Sequence, residues 1–302
     1  MPHTANPLMI DTDFNTLLPA NSLPDAGEYE PIIASEPYVI SGEELNRIID
    51  NSTLLVVDLR PVEHGVEGYI PGSIHLDYER LVRRLDYSEG LLPEVGEIQK
   101  LFSELGLEPW HFVVAYDDET GVEAARLLWT LEVAGHKNYA LLDGGFASWE
   151  NLNLPVSTEA IEPVSSNYAE FLPGPAVVNK DYIFSSIGRT DSCIVDTRSL
   201  EEYAGEDLRA QRGGHVPGAI HFEWSEAVDL FGSGKLRDRG ELKVKLTALG
   251  INPDKEVVLY CQSNRRCAHT FLVLKWLGYE NVKTYHGSWS EWGNDPHTPV
   301  VH

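Results

Sequence analysis

An apolar run, VVLY, stops at Cys261, and Gln262, Ser263, Asn264, Arg265 and Arg266 follow before Cys267 opens the helix-like segment CAHTFLVLKWLG. Two cysteines so placed fit three chemistries. Cys261 is a nucleophile with an anion cradle after it, or half of a metal or disulfide pair with Cys267, or both are small buried residues. The position favours the first. A helix N-terminus offers unpaired N–H groups and the positive end of a dipole. A tight loop turns further amides inward as an anion nest. Arg265 and Arg266 add charge and forked donors. All three stabilise a thiolate, and a free cysteine thiol otherwise titrates near 8.5.

Spacing discriminates further. Cysteine phosphatases built on such a cradle place the arginine after five intervening residues, around a tetrahedral phosphate. Here the arginine after four is Arg266, and the next position is Cys267. The tighter loop suits a sulfur nucleophile carrying one more sulfur. A zinc pair is disfavoured, because no second Cys/His pair stands at matching spacing; neither a metal nor a cofactor is expected. Cys267 reads as a small residue of the first helical turn, with a redox role beside Cys261 as the sharper alternative. Cys193, at the start of CIVD, reads as a core residue.

The elements that position this loop occur twice. SGEELNRIID, TLLVVDLR, EGYIPGSIHLD, HFVVAYD, VEAARLLWTLEVAG and NYALLDGGFASW recur as NKDYIFSSIG, CIVDTR, GGHVPGAIHFE, EVVLYC, CAHTFLVLKWLG and NVKTYHGSWSEW. Asp58 and Arg60 answer Asp196 and Arg198, and Trp149 answers Trp292. Near-continuous apolar strands alternating with helices predict two tandem α/β domains, each a mostly parallel sheet flanked by helices. The expected boundaries are a mobile tail at 1–36, a first domain at 37–157, a Pro- and Ser-rich linker at 158–176 and a second domain at 177–302. Ligands bind such sheets beyond the carboxyl ends of the strands. There the copies diverge, with Asp117 standing where Cys261 stands, which suggests one active half and one supporting half.

Asp196 and Arg198, at the same sheet edge, either support the loop and line the pocket mouth or form a structural ion pair. His75, His215 and His221 read as structural. Trp289 reads as packing rather than as a wall of the pocket, and Arg209 and Arg212 as part of a solvated loop rather than as an extension of the anion path.

Composition narrows the class. The chain has 302 residues, a net charge of -24 and three cysteines. That length fits two domains of about 100–150 residues. The charge argues against nucleic acid and anionic membranes. It is uneven: residues 1–160 carry 8 Lys and Arg against 28 Asp and Glu (net -20), and residues 161–302 carry 15 against 19 (net -4). Neither a long apolar run nor a signal peptide is legible, and the odd cysteine count fits a reducing, cytoplasmic setting.

The motifs DTR, GGHVPGA, YCQSNRRC and YHGSWSEWG, repeated in order over roughly 37–302, resemble the rhodanese homology domain in its tandem, two-domain sulfurtransferase form. The resemblance implies an inactive first domain and a persulfide enzyme acting through Cys261. Arg266 would then bind the sulfonate end of thiosulfate, and the amides of Gln262, Ser263, Asn264, Arg265 and Arg266 would cradle the persulfide. The acceptor would be a small thiophile, cyanide or a thiol. The loop is closer to the Cys-Gln-Thr-His-His-Arg loop of certain bacterial members than to the glycine-rich loop of mercaptopyruvate enzymes. Two cations also suit a dianionic donor, so thiosulfate is preferred over 3-mercaptopyruvate. Asn264 replaces a frequent glycine, and asparagine tolerates positive φ. A persulfide carrier docking through its acidic half on a protein sulfur acceptor is the alternative from another class.

Overall fold

The computed structural model describes residues 32, 34–118, 120–169 and 174–302. The first half contains strands β1 (Tyr38–Ile40), β2 (Leu54–Asp58), β3 (Ser73–His75), the hairpin β4 (Arg83–Leu85) and β5 (Ser88–Leu91), β6 (Phe112–Tyr116) and β7 (Tyr139–Leu142). Its helices are α1 (Gly42–Ile48), α2 (Val95–Glu104), α3 (Val122–Ala134) and α4 (Gly145–Asn151). The second half has β8 (Val177–Val178), β9 (Ser192–Asp196), β10 (Ile220–His221), β11 (Glu256–Tyr260) and β12 (Val282–Tyr285). Its helices are α5 (Lys180–Ser186), α6 (Leu200–Ala204), α7 (Arg239–Ala248), α8 (Arg266–Leu277) and α9 (Ser288–Trp292).

The predicted repeat is visible strand by strand. One parallel sheet runs β3-β2-β6-β7-β1 and the other β10-β9-β11-β12-β8. Registers match as well: Asp58 lies opposite Tyr116, and Asp196 opposite Tyr260. LLVVD, FVVAY, SCIVD and EVVLY are buried almost throughout, because helices cover both faces and leave no solvated side to alternate toward.

Helices α3 and α8 are apolar nearly all round, as helices buried on several sides must be. Each packs on its own sheet, and the two pack on each other. One core therefore runs through both halves, from Val57 and Trp129 to Leu259, Phe271 and Cys261 itself.

The expected linker is not a free tether over its described part. Ile161 donates to the Ser73 carbonyl (2.9 Å) and Ser166 to that of Ser103 (2.9 Å), and Tyr168 packs edge-on against Phe102. The tail expected at 1–36 lies almost wholly outside the described residues. Glu36, at its end, accepts from Trp276 Nε1 (2.5 Å) and Arg239 (3.2 Å) of the second half. No described helix is long and apolar enough to cross a membrane.

Candidate active site

The chain leaves β11 at Tyr260, and Cys261 begins the loop to α8. Asn264 has φ 57°, the left-handed turn that closes the loop. The start of α9 pins the loop from the other side: Trp289 N–H donates to the Cys261 carbonyl (2.9 Å) and Ser290 N–H to that of Gln262 (2.9 Å). Phe146 and Ala147 of α4 do the same for Asp117 and Asp118 (2.8 and 2.9 Å). The two loops are therefore held by one device, and they differ in the side chain placed inside.

In the first half that side chain is Asp117. Its carboxyl oxygens accept from the N–H groups of Gly121 (2.8 Å), Glu123 (3.0 Å) and Ala124 (3.3 Å), so the nest is filled by its own residue. In the second half it is Cys261, 1% exposed. Burial alone pushes this thiol up. The Cys267 thiol, the Arg266 charge and the N–H groups of Cys267 and Ser263 pull it down, to about 5 from an ordinary 9.0. The result is a buried thiolate at a helix N-terminus.

The two arginines are both engaged. Arg266 forms a fork on Glu202 (2.5 and 2.9 Å), a carboxylate 1% exposed. Glu202 in turn caps α6 through Ser199. Arg265 pairs with Glu123 of the first half and lies 5.4 Å from the Tyr78 ring centroid. Counting two free cations therefore misdescribes the mouth, because each faces a carboxylate that the sequence did not place there.

Gln262 donates from Nε2 to the Arg209 carbonyl (2.9 Å). Ser263 meets the hairpin of the first half at Gly90, where a Cβ would fall 1.7 Å from the Ser263 carbonyl oxygen. Asn264 gives its carbonyl to Arg126 (3.3 Å) and its Oδ1 to the Cys267 thiol (2.8 Å). A cavity of about 460 Å³ opens over this loop, bounded by Gln262, Ser263, Arg265, Arg266, Arg209 and Trp224. A larger one, about 670 Å³, adjoins it from the first half and touches the loop at Ser263 and Arg265.

Asp196 and Arg198 do not line this mouth. Both are at most 1% exposed, paired at 2.6 Å, with Arg198 Nη2 also donating to the Gly214 carbonyl (2.7 Å). Asp58, Arg60 and Gly68 repeat the arrangement in the half without a thiol (2.8 and 2.7 Å), which marks it as the fold's own ion pair. His75 and His221 each meet the carbonyl of their Arg (both 2.9 Å), as structural residues do. Trp289 is fully buried and stacks over Arg198. Cys193 is buried in β9, its thiol pushed up to about 11 by burial.

Arg209 borders the mouth while staying exposed and paired with Asp207 (2.9 Å), as a residue of a solvated loop. Two contributors escaped sequence reasoning. Arg212 is tied to the carbonyls of Trp292 (2.8 Å) and Thr298 (2.7 Å). Arg126 of α3 is fully buried and donates to the carbonyls of Leu81, Gly90, Leu91 and Asn264. Only its standing as the one cation of a largely apolar helix signalled it.

Two matched parallel α/β domains, with a buried thiol of depressed pKa at the edge of one sheet, define a class of tandem-domain scaffold. A sequence model described as Rhodanese-like domain matches residues 41–152 and 184–295, and the chain belongs to that family. Among curated relatives, a thiosulfate sulfurtransferase of Azotobacter vinelandii is 41% identical over 267 residues, covering 88% of this chain and 98% of that one. Its namesake in Pseudomonas aeruginosa is 39% identical, covering 89% and 98%. A sulfur carrier protein of Thermus thermophilus is 32% identical, covering 78% and 85%. In fold, the chain matches an anaerobic ergothioneine biosynthesis enzyme of Chlorobium limicola at TM-score 0.77 and 24% identity, over 87% of this chain and 69% of that one.

Proposed function

We propose that this chain is a thiosulfate sulfurtransferase working through a persulfide on Cys261. The carrying observation is that Cys261 places an anionic sulfur in the nest where Asp117 places a carboxylate in the other copy. The Cys261 thiolate attacks the outer sulfur of thiosulfate, the S–S bond breaks, and sulfite leaves with that bond's electron pair. The persulfide's charge faces the N–H groups at the start of α8, an interaction made with the anion and lost on its release. Cyanide or a thiol then takes the outer sulfur and returns the thiolate.

Cys261 is the catalytic residue. Gln262, Ser263, Asn264 and Arg265 shape the cradle and mouth, and Arg266 meets the sulfonate end while Glu202 holds it in place. Residues 177–302 form the catalytic domain and 37–157 the supporting one, joined through 158–176. The relatives named for thiosulfate support this donor over 3-mercaptopyruvate. The three free cysteines fit a reducing, cytoplasmic setting.

The test is thiocyanate formation from thiosulfate and cyanide, with 3-mercaptopyruvate run alongside. The wild type turns over thiosulfate with the higher kcat/KM, and Cys261→Ser abolishes it. Likeness to a sulfur carrier protein favours a second reading, delivery of the sulfur to a partner protein. A persulfide that forms without turnover on either small donor would select the carrier reading.

A further inference from the structure

The thiol of Cys267 helps hold the Cys261 thiolate but makes and breaks no bond in the cycle above. It is fully buried, on the second residue of α8. Its Sγ lies 2.8 Å from Asn264 Oδ1 and within hydrogen-bonding reach of the Cys261 sulfur. The left-handed turn at Asn264 brings the two ends of the loop together in this way. Nδ2 of the same amide is buried with no partner among the described residues, which leaves one unused donor on the amide that Cys267 meets.

We propose that Cys267 is a resolving thiol that discharges the Cys261 persulfide as hydrogen sulfide, a second activity resting on the persulfide reading above. The Cys267 sulfur attacks the inner sulfur, Cys261 Sγ. A bond forms between the two Sγ atoms, the bond from Cys261 Sγ to the outer sulfur breaks, and the proton of Cys267 goes with the departing HS⁻. The sulfane sulfur is reduced to sulfide, and the two cysteines are oxidised to a disulfide. Electrons balance within the loop, without an external oxidant. A dithiol reductant then reopens the disulfide by exchange.

Three features favour the step. The attacking sulfur is a hydrogen-bond neighbour of the sulfur it must attack, across the turn that Asn264 closes. The N–H groups of Ser263 and Cys267 hold the Cys261 sulfur, the atom to which the departing sulfide is bonded. Both thiols are sequestered, so the disulfide forms within the chain rather than between chains. Burial pushes the free Cys267 thiol up, which keeps it a proton-bearing partner while Cys261 is the thiolate. Its turn comes once Cys261 carries the extra sulfur and has become the electrophile.

The experiment uses the full reduced chain with thiosulfate and no acceptor, quenched in acid with alkylation. Sulfite, sulfide and intact mass are read together. The wild type should release about one sulfide per sulfite and end as the 261–267 disulfide. Cys267→Ser should keep an adduct of about 32 Da and release at least about tenfold less sulfide per sulfite. Taking the ratio to sulfite removes any effect of the substitution on loading. Equal ratios in the two proteins, with the adduct retained in both, would overturn the proposal. Absence of sulfite release would count against thiosulfate as donor, and loading with inorganic polysulfide then decides the role of Cys267 by the same ratio of sulfide to sulfur loaded.

Discussion

Arg126, on α3 of the first half, donates to the carbonyl of Asn264 in the thiol loop of the second, at 3.3 Å. Its two terminal nitrogens also donate to the carbonyls of Leu81 (2.8 Å), Gly90 (3.0 Å) and Leu91 (3.1 Å). Among the described residues no carboxylate pairs with it. An isolated buried cation is costly, and its charge is felt at Cys261 and Cys267. The thiolate and the guanidinium thus compensate each other across the two halves. The half without a cysteine helps hold the thiol loop of the other in place.

Replacing Arg126 by Met should leave four buried carbonyls short of a donor and remove that charge. The expected loss of stability is about 3–5 kcal/mol, read as a fall in Tm. At temperatures where the variant is folded, a rise of about one unit in thiol pKa should cut persulfide loading about twofold at pH 6 and close to tenfold at pH 4. Arg126→Lys restores the charge but not the fork, and should recover loading more fully than Tm. Equal recovery of both would reduce Arg126 to packing.

Alkylation of Cys261 by iodoacetamide should follow a single titration with a midpoint near 5. The folded pKa is depressed, so the thiolate fraction rises as pH passes through 5 and is complete at neutral pH. Cys267→Ala removes the strongest of the groups that pull the thiol down and should move the midpoint up by about one unit. Cys267→Ser keeps a hydroxyl donor and should leave the midpoint close to its original place. A midpoint near 8.5 in the wild type would show that burial wins.

Arg266 has two jobs that a single substitution confounds. Arg266→Ala leaves the buried carboxylate of Glu202 unpaired and should cost about 3 kcal/mol in unfolding free energy. The double change Arg266→Met with Glu202→Leu removes both charges and should recover most of that stability. Its KM for thiosulfate should stay raised, about tenfold, because the sulfonate partner is gone. Recovery of KM along with stability would confine Arg266 to holding the loop.

Gly90→Ala tests whether the hairpin of the first half positions the loop. The new methyl would fall 1.7 Å from the Ser263 carbonyl oxygen, so hairpin or loop must give way. Loading should drop by an order of magnitude or more, because geometric tolerance at a reacting centre is about 1 Å. Far-UV circular dichroism should be retained.

The tandem sheets were legible because each half repeats the same strand pattern, and strands buried on both faces are near-continuous apolar runs. Cys261 was legible because strand end, thiol and helix start are consecutive in sequence. What stayed hidden depends on contacts across long sequence separations. Glu202 lies 64 residues from Arg266, and Arg126 lies 138 from Asn264. No local pattern announces either pairing. The pairing of Arg265 with Glu123 is hidden for the same reason, and it is why two adjacent arginines read as free charge. Asp196 and Arg198 were ambiguous for a different cause. Their place at the sheet edge is right for a ligand, and only the depth of their burial assigns them to the fold.

Asp117 offers a test of the shared nest in the half without a thiol. Its carboxyl is buried, which pushes it up most, and the N–H groups of Gly121 and Ala124 only partly offset that, leaving it at about 6 against an ordinary 3.8. The folded value is raised, so this group's contribution to stability is full below pH 4 and is lost as pH rises through 6. Asp117→Asn keeps an oxygen to accept from the nest and carries no charge. Its unfolding free energy should match or fall below the wild type's at pH 4, where both side chains are neutral. Above pH 7 the variant should be the more stable by about 2 kcal/mol, since the wild type alone then holds a desolvated charge. Denaturant titrations at pH 4 and pH 8 measure the crossing. A variant less stable at both pH values would mean that the nest in this half, like the one around Cys261, prefers an anion to a neutral group.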